Sequence, residues 1–402
     1  METSRRLLIY SHDSFGLGHL RRCRAIAHHL VDSYKNLSVL ILSGSPIIGS
    51  FDFKARVDFV RVPGVIKLRN GEYTPLQLHI DVDKTLEMRS SIIEHTADIF
   101  DPHMCIIDKE PTGLRGEVRT TLTMLKERGT RMVLGLRDVM DDPANLEHEW
   151  TRKQVYPVLY HLYDEIWVYG LPDLFDPVHE IAGFEGLGDK TSFTGYLERF
   201  APEGPLGPND FEMPDDPFVL VTTGGGGDGD QLIDWVLKAY ERSPSLGMRA
   251  VILFGPFMHL DKRVDFQARV ANLERVCALT FSAHVEPLFR QAAAVVSMGG
   301  YNTFCEILSF DKPALVVPRT EPRREQLIRA ERAQKLGLLH MLHPSDASDP
   351  TVMADRLEAL QDLPKPNPSV RRRLLGGLPA IEDLARPWLA ADGEPPRLRA
   401  NA

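Results

Sequence analysis

Short apolar runs recur along the chain with longer amphipathic stretches between them: residues 6–11 (RLLIYS), 38–43 (SVLILS), 57–62 (VDFVRV), 104–108 (MCIID), 131–136 (RMVLGL) and 165–170 (EIWVYG). Runs this short, rich in valine and isoleucine, fit buried parallel strands joined by crossover helices. The rhythm breaks at 196–217 (YLERFAPEGPLGPNDFEMPDDP), where proline and glycine leave no periodic apolar face. It resumes at 218–223 (FVLVTT), 249–255 (RAVILFG), 276–281 (VCALTF), 293–298 (AAVVSM) and 313–318 (PALVVP). The pattern predicts two α/β domains, over 1–197 and 217–390, with a linker over 198–216 and a polar tail over 391–402. Two such halves bring the carboxyl ends of two parallel sheets to one cleft, where sheets of this kind bind ligands.

Composition narrows the function without naming it. A chain of 402 residues is long enough for two domains with a core each. Its net charge of -9 argues against a nucleic-acid binder held by phosphate contacts. The amino terminus lacks the apolar core of a signal peptide and no run reaches membrane-spanning length, so the expected location is the cytoplasm. Cys23, Cys105, Cys277 and Cys305 are scattered with no CxxC pair, which suggests core residues rather than a zinc site or disulfides.

Each half opens with a glycine-rich turn after its first strand: SHDSFGLGHLRRCRAIAHHL (11–30) with Gly16 and Gly18, and TTGGGGDGDQLIDWVL (222–237) with Gly224, Gly225, Gly226 and Gly227. Glycine lets the backbone approach a ligand, and the first-turn amides of the helix that follows suit an anion. The first loop places Arg21 where a dinucleotide fingerprint needs a third small residue, and neither loop carries the GK[ST] of a nucleoside-triphosphate loop. NAD binding and ATP hydrolysis are both disfavoured.

A third helix start lies in VVSMGGYNTFCEILSFDKPALVVPR (295–319). Gly299 and Gly300 follow a strand, Asn302 or Thr303 can cap the helix, and Glu306 comes one turn later. A carboxylate there can accept from both hydroxyls of a ribose while the amides hold a diphosphate. The same spacing also fits a capping box, with Thr303 as cap and Glu306 bonding back to it. Further candidates stand at strand ends: Asp108, Lys109, Glu110 and Arg115 in IIDKEPTGLRGE (106–117), and Arg137 with Asp138 in LGLRDVMDD (134–142). Lys109, Arg115 and Arg137 fit an anionic acceptor, or else surface ion pairs. His28 and His29 sit mid-helix and read as packing or surface residues, whereas His12 and Asp13 lie on the loop. The arginines of RRRLL (371–375) suit either an anionic membrane surface or a solvated face.

The segment 281–338, FSAHVEPLFRQAAAVVSMGGYNTFCEILSFDKPALVVPRTEPRREQLIRAERAQKLGL, resembles the carboxy-terminal donor domain of glycosyltransferase family 28. The resemblance implies the GT-B fold, two Rossmann-like domains facing each other, and an inverting, metal-independent transfer from a nucleotide sugar to a glycan, lipid-linked or small-molecule acceptor. It places Gly299, Gly300 and Thr303 near the diphosphate or sugar, Glu306 on the ribose, and Gln326 on the sugar hydroxyls. Glu325 replaces the first of the family's paired glutamines. The backbone around His284 and Val285 would meet the base, which favours UDP. The turn GLGHLRRCRAIAHHL (16–30) also resembles the UDP-sugar hydrolase family of pseudaminic-acid biosynthesis, so His19 is expected as the base toward an acceptor hydroxyl or, in the alternative, toward water. Asp108 is the reserve base if His19 is structural. A third reading is a non-catalytic shell that only binds a nucleotide sugar. Asp81-Val82-Asp83 has the form of a metal-binding DxD but falls at a predicted helix start in the first half, so neither metal nor cofactor is expected.

Overall fold

The structure, a computed structural model, describes residues 4–12, 17–67, 72–201, 214–244 and 246–390. Gly16, Asp13, most of the linker and the tail from 391 lie outside them. The first half forms a seven-stranded parallel sheet in the order Val57–Arg61, Leu37–Ser43, Arg5–Ser11, Met104–Asp108, Arg131–Arg137, Glu165–Tyr169, Thr191–Phe193. The second forms a six-stranded parallel sheet in the order Val276–Leu279, Arg249–Leu253, Phe218–Thr222, Ala294–Ser297, Ala314–Val316, His340–Met341. Every strand expected from the apolar runs is present. The edge strands Thr191–Phe193 and His340–Met341 and the hairpin Val65–Lys67 with Tyr73–Pro75 were not expected, because two or three residues carry no readable period.

In both sheets the strand order reverses beside the first strand of the half, and that is where a crevice opens at the carboxyl edge. In the first half the reversal lies between Arg5–Ser11 and Met104–Asp108, whose register sets Ser11 opposite Asp108. In the second it lies between Phe218–Thr222 and Ala294–Ser297, with Thr222 opposite Ser297. The glycine loops leave the sheets at these points, so topology alone delivers them to the cleft.

Alternation along Arg5–Ser11 sends Leu8 and Tyr10 into a core whose buried residues all belong to the first half, with Ile328 of the second packed against it, and Leu7 and Ile9 into one that continues through Tyr196 and Leu197 to Phe304 and Ile307 of the second. The halves thus share apolar packing. They also share a buried ion pair: Arg329, 1% exposed, donates to Asp138, 0% exposed, through Nε (2.7 Å) and Nη2 (2.5 Å), and Tyr196 Oη donates to the same carboxylate at 2.6 Å.

The last helix, Gly377–Leu389, departs from the partition expected at residue 217. It packs on the first half's helix Gly18–Ser33, where Glu382 accepts from Ser33 Oγ at 2.9 Å and lies 3.1 Å from His29 Nε2. The chain crosses between halves beside its first crossing: Tyr196 N donates to Leu374 O (2.8 Å) and Gly377 N to Tyr196 O (3.0 Å). Among the described residues, no helix is long and apolar enough to cross a membrane. The basic run at 371–375 is largely committed within the chain, with Arg371 paired to Asp311 at 3.2 Å and Arg373 to Asp173 at 2.7 Å. Asp81 caps helix Val82–Phe100, accepting from Asp83 N at 2.7 Å.

Candidate functional site

A cavity of about 1000 Å³ lies between the two sheets. Its first-half wall includes Leu17, Gly18, His19, Arg21, Arg22 and Arg137. Its second-half wall includes Thr222 to Gly225, Gly227, Val285, Gly300, Asn302, Thr303, Glu306, Arg319, Glu325 and Gln326. Three helices start there: Gly18–Ser33, Asp230–Arg242 and Tyr301–Ser309. The positive ends of their dipoles make the cavity receptive to negative charge.

His19 is the second residue of its helix, and its Nδ1 is hydrogen-bonded to Asp108 Oδ2. Asp108 is fully buried and receives two further bonds from Arg22, Nε to Oδ1 at 2.8 Å and Nη2 to Oδ2 at 2.6 Å. Burial alone would raise this carboxyl, but Arg22 and His19 outweigh burial and hold it well below its usual range. An ionised carboxylate only accepts, so His19 Nδ1 carries the proton and Nε2 is left as the acceptor nitrogen. Burial lowers the imidazole to about 4 against the opposing pull of Asp108, which keeps the ring neutral near pH 7. The expectation of Asp108 as a reserve base is therefore corrected: paired with Arg22 and held ionised, it is too weakly basic and out of the cavity. It orients His19 instead. Arg22, three residues after His19, was missed, though the i,i+3 spacing puts both on one helical face.

On the opposite wall the cap expected at Asn302 or Thr303 is not formed. Gly300 is the N-cap, with extended backbone (φ -59°, ψ 155°), which makes Thr303 the third helical residue and Glu306 the sixth. The capping box is excluded by this one-turn offset. Glu306, 1% exposed, is bonded by Arg21 from the first half, and Arg21 also reaches Glu286 Oε1 at 3.2 Å. Burial raises the Glu306 carboxyl and Arg21 opposes the rise.

Other candidates divide. Gly226 and Gly299 do not line the cavity but shape it: both have positive φ, a Cβ on Gly226 would stand 2.3 Å from Phe254 O, and one on Gly299 would stand 2.7 Å from Val316 Cγ1. Val285 lines the cavity, whereas the His284 ring turns to Asp52, 3.0 Å away. Glu325 is drawn off toward cations, with Arg319 Nη2 at 2.5 Å and Arg137 Nη2 at 3.7 Å, and Gln326 Oε1 accepts from Arg319 N at 2.9 Å. Lys109 sits behind the wall beside Glu110 at 3.7 Å and is lowered to about 8, chiefly by burial and then by Arg137. Arg115 is corrected outright: it is exposed, 3.5 Å from Asp83 and stacked over Tyr73, away from the cavity. His28 accepts from Lys54 N at 3.2 Å, a packing role.

Half-buried histidines also predict an acid-labile fold. Burial holds His12 at about 3 and His19 and His28 at about 4 in the folded chain. Below about pH 6.5 the unfolded chain takes up protons that the folded chain refuses, so stability falls as pH drops from 6.5 toward 4. A thermal melt series across that window checks this: the midpoint is expected to fall steadily, and more shallowly in His19→Gln.

Residues 218–372 match the glycosyltransferase family 28 C-terminal domain. No curated protein sequence matches the chain. Among solved structures, CalG4, the calicheamicin glycosyltransferase, is similar at 17% identity and a TM-score of 0.59, over 96% of this chain and 99% of that one. A UDP-glucosyltransferase from Polygonum tinctorium superposes with a TM-score of 0.61 at 13% identity, over 96% and 99% of the two chains. MurG from Acinetobacter baumannii gives 0.52 at 10% identity, over 95% and 99%. Two Rossmann-like sheets around one cleft give the chain the GT-B fold of these glycosyltransferase structures, and its second half carries a glycosyltransferase family 28 C-terminal domain.

Proposed function

We propose that the protein moves a sugar from a UDP-linked donor to a hydroxyl of a glycan, lipid-linked or small-molecule acceptor, with inversion and without a metal ion. One observation carries the reading: a single cavity has a neutral, Asp108-oriented His19 on one wall and the helix start at Gly300 with Glu306 one turn deeper on the other. In this reading the amides near Gly300, Thr303 and Gly224, Gly225 and Gly227 hold the diphosphate, Glu306 takes the ribose hydroxyls, and the base lies near Val285. Arg137 faces the acceptor end, with Lys109 behind it adding positive charge.

The acceptor O–H gives its proton to His19 Nε2 as the oxygen bonds to the anomeric carbon, and the bond from that carbon to the diphosphate breaks on the opposite face. UDP leaves with the electron pair, and helix amides stabilise its growing charge. Base and diphosphate cradle come from opposite halves, which suits an in-line displacement and hence inversion.

Calorimetric titration with UDP, with GDP and ADP as controls, tests the donor site. UDP is expected to bind selectively, and Glu306→Ala to weaken it about ten- to 100-fold, the worth of hydrogen bonds to a charged group. Equal binding of all three nucleotides, or normal UDP binding by the variant, overturns the assignment.

A further inference from the structure

The base and the donor helix belong to different halves, yet their first turns are tied to each other. Asn302, the second residue of helix Tyr301–Ser309 and 8% exposed, donates from Nδ2 to the carbonyl of Gly18 at 3.1 Å. Gly18 opens helix Gly18–Ser33 and immediately precedes His19. On its other side Asn302 Oδ1 accepts from Arg199 Nη2 at 2.9 Å, and Arg199, 6% exposed, is itself anchored through its backbone N to Ser309 Oγ at 2.9 Å. Arg199 can only donate and the Gly18 carbonyl can only accept, so the amide has one possible orientation. A second tie runs one turn on, from Arg21 of the same helix to Glu306.

We propose that Asn302 is a positioning residue: through the Gly18 carbonyl it carries the state of the donor helix to His19 and holds the base where the acceptor proton must be taken. The inference rests on the donor reading above, since it is the nucleotide at Gly300 and Glu306 that loads the donor helix. When the ribose takes Glu306, Arg21 gives up its bond there, and the Asn302 bridge is what keeps the two first turns in register. The arrangement has physical reach because the link passes through one hydrogen bond and one peptide unit, with no flexible side chain between Gly18 and His19. Base geometry is sensitive to displacements of about 1 Å.

The test needs only UDP, neither sugar nor acceptor. Histidine is labelled with carbon-13 at Cε1, the His19 resonance is assigned by its loss in His19→Gln, and UDP is titrated while its Kd is measured by calorimetry. In the wild type the His19 resonance is expected to shift on binding. In Asn302→Ala the shift is expected to fall to less than about half with Kd within about twofold, a coupling loss without a binding loss. Arg199→Met, which leaves Asn302 in place but frees its amide, is expected to give the same pattern and guards against misfolding of the first variant. The proposal is overturned if His19 responds as fully in both variants as in the wild type, or if Asn302→Ala weakens UDP about tenfold and keeps the full shift at saturation, which would make Asn302 a ligand contact. Failure of the wild type to bind UDP strikes the donor reading instead. The link is then read in the nucleotide-free protein, where Asn302→Ala is expected to move the His19 resonance and an unmoved one overturns the proposal.

Discussion

His19→Ala is expected to lower kcat by about 100- to 10,000-fold, the usual worth of a general base, while leaving UDP affinity nearly unchanged. The separation follows from geometry: His19 stands on the first-half wall, bonded to Asp108, and the residues assigned to the nucleotide stand on the second. The assay should follow both sugar transfer and release of free sugar from a UDP-sugar, because the same nitrogen would serve water in a hydrolase. Loss of both activities together assigns the base. Retained turnover in the variant would remove His19 from the chemistry, and a matching rise in the UDP Kd would make it a binding residue instead.

The second large effect concerns stability. Arg329→Met is expected to cost about 3–5 kcal/mol, because it leaves the Asp138 carboxylate buried between the halves with Tyr196 Oη as its remaining side-chain donor. Denaturant unfolding monitored by tryptophan fluorescence would measure it. The double variant Arg329→Met, Asp138→Leu should recover most of the loss, since no charge is then stranded. A single variant as stable as the wild type would show that water reaches Asp138 and that the halves are joined by their apolar contacts. Arg329 Nη1 also donates to Gly299 O at 3.0 Å, so the single variant is expected to loosen the donor turn as well.

Much of the architecture was readable because buried parallel strands leave a strong local mark. Segments such as SVLILS and FVLVTT are apolar on both faces, and nothing else of that length needs to be. The glycine loops were readable for a related reason, since a strand, a glycine cluster and a helix start in that order place themselves at a sheet's carboxyl edge. Side-chain partners across the cleft were not. Nothing near Glu306 in sequence announces Arg21, 285 residues away, and nothing near Asp108 announces Arg22, 86 residues away. Those pairings come from strand order and from the angle between halves, which are properties of the whole chain. Arg115 was misjudged for the same reason in reverse: its place after a strand suggested the cleft, but a left-handed turn at φ 49° carries it away from the cavity. The cap at Gly300 went unread because no side chain bonds the first-turn amides there, so residue type gave no signal.

The paired crossings at Tyr196 and Leu375 bear on how this molecule can move. A single linker would let one half swivel about it in any direction. Here the outgoing and returning segments run side by side and are hydrogen-bonded, Tyr196 N to Leu374 O and Gly377 N to Tyr196 O, and the last helix is fixed to the face of the first half. Such a joint resists twist and permits bending about one line, much as a door on two pins does. With the shared core and the Arg329–Asp138 pair beside it, this joint favours any parting of the cleft walls along one arc over a twist of one half against the other.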